Sequence, residues 1–177
     1  DAWLGTSSPL GTDSVTLSPY LGFESLRPAL DAATANQRGT FVLALTSNPE
    51  GKSVQHVGKA EDTGAVAKQV IAAATAENTA QTWERMGSCG LVVGATVGEA
   101  LKELAIDLST FNGPILSPGY GAQGASAEDL YRIFAGVESQ VLVNSSRGVL
   151  SAGPQLTDLA RAARSARDDL VRARGTS

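Results

Sequence analysis

With one cysteine, Cys89, this 177-residue sequence has no partner for an intrachain disulfide, and a lone thiol suits a reducing compartment. It also lacks any apolar run approaching the roughly 18 residues that a membrane-crossing helix needs, and it opens without a secretory-signal pattern. These absences point to a soluble, cytoplasmic protein with no membrane partner. Positive charge is scarce as well: 14 Lys and Arg against 18 Asp and Glu leave a formal charge of -4, which argues against nucleic acid as a partner. Arg161, Arg164, Arg167, Arg172 and Arg174 alternate with acids along one terminal stretch and read as a solvated helix face. The one histidine, His56, has no nearby Asp in sequence, so a general-base role is disfavoured despite its near-neutral intrinsic pKa. Methionine occurs once, at Met86, in a chain beginning at Asp1, and a fragment or processed product is the expectation.

What is present is ample apolar content, 42% against 18% charged residues, enough for one domain over residues 1–177 with a real core. Five apolar runs read as strands: "SVTLS" at 14–18, "TFVLALTS" at 40–47, "CGLVVGAT" at 89–96, "PILSP" at 114–118 and "QVLVNSS" at 140–146. Helical spacing follows each, over 24–35, 64–87, 97–106, 126–137 and 156–175. Strands alternating with helices predict parallel pairing, with most strands buried on both faces. The fold class is α/β, and the unit length of about 25 residues fits a (β/α)8 TIM barrel, of which this chain would supply the last five βα units. Cys89, opening an apolar run, reads as core.

Gly119, Gly121 and Gly124 in "SPGYGAQG" have the G-x-G-x-x-G spacing of a dinucleotide-binding turn. That reading lacks its acidic residue, because the position after the next strand carries Asn144. The polar and glycine-rich segments instead all follow the C-terminal ends of strands, the face on which barrel chemistry sits. Counted as the last five of eight, "SPGYGAQG" and "SSRG" become the loops after strands seven and eight, a common phosphate site. The glycines then serve to turn backbone N–H groups towards an anion at a helix N-terminus, and Arg147 adds charge-assisted donors.

The stretches "DSVTLSPYLGFESLRPAL", "FVLALTSNPEG", "GLVVGAT", "PILSPGYGAQGA" and "SSRGVL", in this order, resemble orotidine 5'-phosphate decarboxylase in its long-loop bacterial form, over the C-terminal two thirds of that enzyme. The resemblance implies a homodimeric TIM barrel that decarboxylates orotidine 5'-monophosphate to uridine 5'-monophosphate through a carbanion, with neither metal nor organic cofactor. It implies that Ser47 hydrogen-bonds the pyrimidine, that Gln123 and Arg147 bind phosphate, and that Gly121 and Ser146 offer backbone near the same anion. Asn48 stands where many relatives have histidine, and Tyr120 where valine is common. The family's proton-donating lysine lies in an Asp-x-Lys-x-x-Asp segment. No Asp here is followed two places later by Lys, so no catalytic residue is assigned in this chain and the segment is expected upstream of Asp1. Residues 1–16 would correspond to the helix after strand three and the approach to strand four. Lys52, on a loop over the barrel mouth, is a weak substitute donor. Two other readings stay open: another phosphate-binding barrel enzyme acting on a sugar phosphate, or a catalytically incomplete fragment that only binds phosphate.

Overall fold

The computed structural model describes residues 2–58 and 64–175. Five parallel strands form one sheet in sequence order: β1 (Ser14–Leu17), β2 (Gly39–Leu45), β3 (Cys89–Val93), β4 (Ile115–Pro118) and β5 (Val141–Asn144). Between and after them run α1 (Arg27–Ala35), α2 (Lys52–Gln55), α3 (Val66–Thr79), α4 (Gly98–Glu103), α5 (Ala127–Ile133), α6 (Arg147–Leu150) and α7 (Leu156–Arg174). Consecutive parallel neighbours joined by helices are five successive βα units of a TIM barrel.

The strands form where β-branched and aliphatic residues run unbroken, and their burial follows their place in the sheet. All five residues of central β3 are buried, whereas edge strand β5 alternates half-buried with exposed residues. Burial on both faces therefore holds for the middle of the sheet and not for its margins. Val42, Ala44 and Leu91 pack with Leu30 of α1 and Val70, Ile71 and Ala74 of α3 in the main core. On the opposite face, register aligns Leu43, Val92, Leu116 and Leu142 in a row. Gly90 is required there: a Cβ would stand 2.6 Å from the Phe41 ring and 2.7 Å from the Pro114 carbonyl.

Two expected helices differ. Residues 2–10 fold as successive turns, tied by Thr12 N–H to the Trp3 carbonyl at 2.8 Å, and not as a helix. The helix expected over 64–87 ends at Thr79, because Trp83 Nε1 donates to the Asn78 carbonyl at 2.8 Å and Gly87 N–H turns to the Asn112 carbonyl. On α7, Arg161, Arg167 and Arg172 do lie on an exposed face, each beside an aspartate. Cys89 is buried, and burial pushes its thiol up to about 11.

Helix α5 opens with a capping box: Asp129 N–H donates to Ser126 Oγ at 3.0 Å, and Ser126 N–H returns a bond to the Asp129 carboxylate. The Ser126 hydroxyl and then its N–H hold Asp129 below the ordinary 3.8. A depressed carboxylate contributes stability that is complete above the unfolded pKa and lost as pH falls through the folded one. Melting curves from about pH 6 down to about pH 3 should therefore show a smaller acid-induced loss in Ser126→Ala than in the parent. Equal losses would mean that the box carries no proton linkage.

Candidate functional site

The C-terminal ends of β2, β4 and β5 converge on one small polar site. Strand β2 has a register shift between Leu43 and Leu45, which turns the residues beyond it towards a different face. Thr46 is then held by α2: its N–H donates to Gln55 Oε1 at 2.8 Å, and Gln55 Nε2 donates to its Oγ1 at 3.0 Å. This grip fixes the segment that presents Ser47.

The loop over residues 119–125 is shaped by glycines at φ +113° (Gly119), +71° (Gly121) and +101° (Gly124), values that a side chain rarely tolerates. Ala125 N–H donates to the Gly119 carbonyl at 3.2 Å, Gly121 N–H to the Ala125 carbonyl at 2.8 Å and Gly124 N–H to the Gly121 carbonyl at 2.9 Å. Gly121 thus contributes the turn, while its N–H is engaged within the loop. The N-terminus of α5 is likewise occupied by its own capping box. The N–H groups of Ala122 and Gln123 donate to no acceptor among the described residues, and both residues border a cavity of about 70 Å³.

That cavity brings together Gln123, Ser145, Ser146 and Arg147, with Gly119 and Ala122 supplying backbone, and no Asp or Glu borders it. Ser47 reaches it indirectly: its Oγ donates to Gln123 Oε1 at 3.2 Å. Because that bond occupies the amide oxygen, Gln123 presents Nε2, a double donor. The Arg147 guanidinium has neither ion pair nor hydrogen bond among the described residues. A guanidinium, an amide N–H₂, hydroxyls and free backbone N–H groups without a carboxylate make a site suited to an anion. Ser145 and Ala122 were not singled out from sequence; their positions beside Ser146 and Gln123 were the available signal.

The other candidates stand apart. Lys52 is exposed at the start of α2, and half-buried His56 follows that helix, neither with an acidic partner among the described residues. Asn48 is exposed and leads into a single 3-10 turn over Pro49–Gly51. A roomier cavity of about 620 Å³ lies between α4 and α5, but its Lys102 and Arg132 are paired with Glu99 and Asp129, and the remaining charge is the Asp107 carboxylate, which does not suit an anion. Among the described residues no group of three or more His, Cys, Asp or Glu could hold a metal ion, and no helix is long and apolar enough to cross a membrane.

A profile described as orotidine 5'-phosphate decarboxylase / HUMPS family matches residues 5–162. The orotidine 5'-phosphate decarboxylase of Streptomyces coelicolor is 47% identical over 167 residues, and that of Salinispora arenicola 49% identical over 162. Each comparison covers 92% of this chain but 56% of the relative's length, so the chain spans little more than half of these proteins. The crystal structure of a Streptomyces avermitilis protein superposes with a TM-score of 0.83 at 45% identity, covering 97% of this chain and 58% of that one. The Leishmania donovani OMP decarboxylase superposes with a TM-score of 0.66 at 25% identity, covering 95% of this chain and 59% of that one.

Proposed function

The chain belongs to the orotidine 5'-phosphate decarboxylase / HUMPS family, and on that premise we propose that it forms the substrate-holding part of an enzyme that decarboxylates orotidine 5'-monophosphate to uridine 5'-monophosphate. The observation that carries this reading is the Ser47–Gln123 hydrogen bond beside Arg147, which has no ion pair or hydrogen bond among the described residues. It couples a base-reading hydroxyl to a phosphate-reading amide at the separation of two loops of one barrel rim. In this reading Arg147, Gln123 Nε2 and the Ala122 and Gln123 N–H groups grip the phosphate, with Ser146 beside them, and Ser47 faces the pyrimidine. Gly121 holds the turn on which those donors depend.

The reaction would proceed through a carbanion at pyrimidine C6, without a cofactor. Phosphate and ring contacts lie away from that carbon, so they act by spending remote binding energy on positioning and on stabilising the transition state. The proton for C6 is assigned to none of these residues, since no Asp-x-Lys-x-x-Asp segment occurs in the 177 residues. A homodimer working in the cytoplasm completes the proposal.

Titration with uridine 5'-monophosphate, uridine and ribose 5-phosphate tests it. Tight binding of the nucleotide alone supports the reading, whereas equal affinity for the nucleotide and the sugar phosphate would favour a different phosphate-binding barrel enzyme. Ser47→Ala should weaken nucleotide transition-state binding by about 1–3 kcal/mol, the usual cost of an unmet polar partner, and, because its hydroxyl also holds Gln123 Oε1, should weaken inorganic phosphate binding as well but by less. Unaltered kinetics in this variant would remove Ser47 from the ring site.

A further inference from the structure

The glycine-rich loop is tied at its outer side by a bond that the substrate site does not explain. Tyr120 stands between Gly119 and Gly121, both at positive φ, where backbone preference is weakest and the entropy lost on ordering is greatest. Its ring packs half-buried against the core, and its hydroxyl donates to Asp169 Oδ2 at 2.8 Å. Asp169 lies on α7, the longest helix, which packs on α5, and it faces Arg172 at 3.8 Å. Burial first, and then the Asp169 carboxylate, push the Tyr120 hydroxyl up to about 12, so the hydroxyl remains a donor at neutral pH.

We propose that Tyr120 and Asp169 form a positioning strut that pre-orders the anion-binding loop, with Tyr120 bordering the phosphate cavity while its hydroxyl is anchored on α7. The loop is then held between two side-chain hydrogen bonds, Tyr120 to Asp169 on the helix side and Gln123 to Ser47 on the barrel side. Two residues, Gly121 and Ala122, separate the two tethers, and the N–H groups of Ala122 and Gln123, without an acceptor among the described residues, lie at the second. Fixing the first tether before ligand arrives reduces the ordering cost of binding. The inference rests on the phosphate reading of the cavity, and it assigns Tyr120 a positioning role.

The test uses the full enzyme and pairs of ligands that differ only in phosphate: orotidine 5'-monophosphate against orotidine for kcat/KM, and uridine 5'-monophosphate against uridine for binding. Tyr120→Phe keeps the ring and removes the donor. It should lower kcat/KM for the monophosphate about tenfold, the loss typical of a hydrogen bond to a charged group, and leave the nucleoside values unchanged. Asp169→Asn keeps an acceptor and should lose less than Asp169→Ala. In an Arg147→Ala background the Tyr120→Phe effect should shrink, since both act on one anion. No loss in Tyr120→Phe, or an equal loss for monophosphate and nucleoside, overturns the strut while Arg147→Ala still discriminates by phosphate. If Arg147→Ala itself fails to discriminate, the phosphate site is misplaced and the strut falls with it.

Discussion

Arg147→Ala is expected to lower kcat/KM for orotidine 5'-monophosphate by about 2–4 kcal/mol, from roughly thirtyfold to a thousandfold. The size follows from the environment. A guanidinium without an ion pair among the described residues, beside a cavity without carboxylates, spends none of its donors on the protein. Its removal therefore takes the whole charge-assisted contact from the ligand and releases no competing partner. The site borders solvent, which keeps the figure below what a fully buried pair would give. Because phosphate lies away from the reacting carbon, the loss should divide between KM and kcat, and it should vanish for orotidine. Arg147→Lys restores charge without the planar fork and should recover only part of the loss. Equal losses with orotidine and its monophosphate would place the anion elsewhere. Thermal stability should hardly change, since α6 is short and the guanidinium has no partner among the described residues.

How much of this was readable in the sequence varies with the distance over which each feature is set. The five strands were legible because runs such as "FVLAL" and "GLVV" are continuous and flanked by loop residues, so local composition decides them. Arg147 was legible as a donor near the glycine loop because strand ends put both on one rim, whereas Gln123 was legible only through the family resemblance. The Ser47–Gln123 bond was not, since it depends on how two distant loops meet. Gly121 shows the same limit at shorter range: its spacing announces a turn, but the destination of its N–H is set by the way the turn closes on Ala125. Asp169 read as one acid among the alternating charges of an exposed helix, and only the packing of α7 brings it to Tyr120. Helix α3 reads as longer than it is because alanine-rich periodicity runs on past Thr79, whereas the chain leaves the helix to make contacts that are not local.

Those contacts centre on Asn78, and Asn78→Ala is expected to destabilise the fold by about 3–4 kcal/mol. The residue is 1% exposed. Its Nδ2 donates to the Cys89 carbonyl at 2.9 Å, its Oδ1 accepts from Cys89 N–H at 3.1 Å, and its own carbonyl accepts from Trp83 Nε1. The amide thus closes both polar groups of the first residue of β3, where the strand begins in a buried setting. Gly87 and Gly113 leave room for it: a Cβ at either would stand 2.1 Å or 2.6 Å from the Asn78 side chain. Truncation to alanine leaves one buried N–H and one buried carbonyl without these partners and opens a void between the two glycines. Asn78→Asp separates the contributions. An ionised carboxylate can accept from Cys89 N–H but cannot donate to its carbonyl, and burial raises its pKa. Protonation restores a donor, so the Asp variant should gain stability relative to the parent as pH falls from about 7 to about 5. Denaturant unfolding at both values measures this, and a penalty below about 1 kcal/mol for Asn78→Ala would show that water or relaxation satisfies Cys89 instead. Since β3 lies between the strands that carry Ser47 and Gln123, a folded Asn78→Ala enzyme at low temperature should keep its kcat/KM and lose it only as melting approaches.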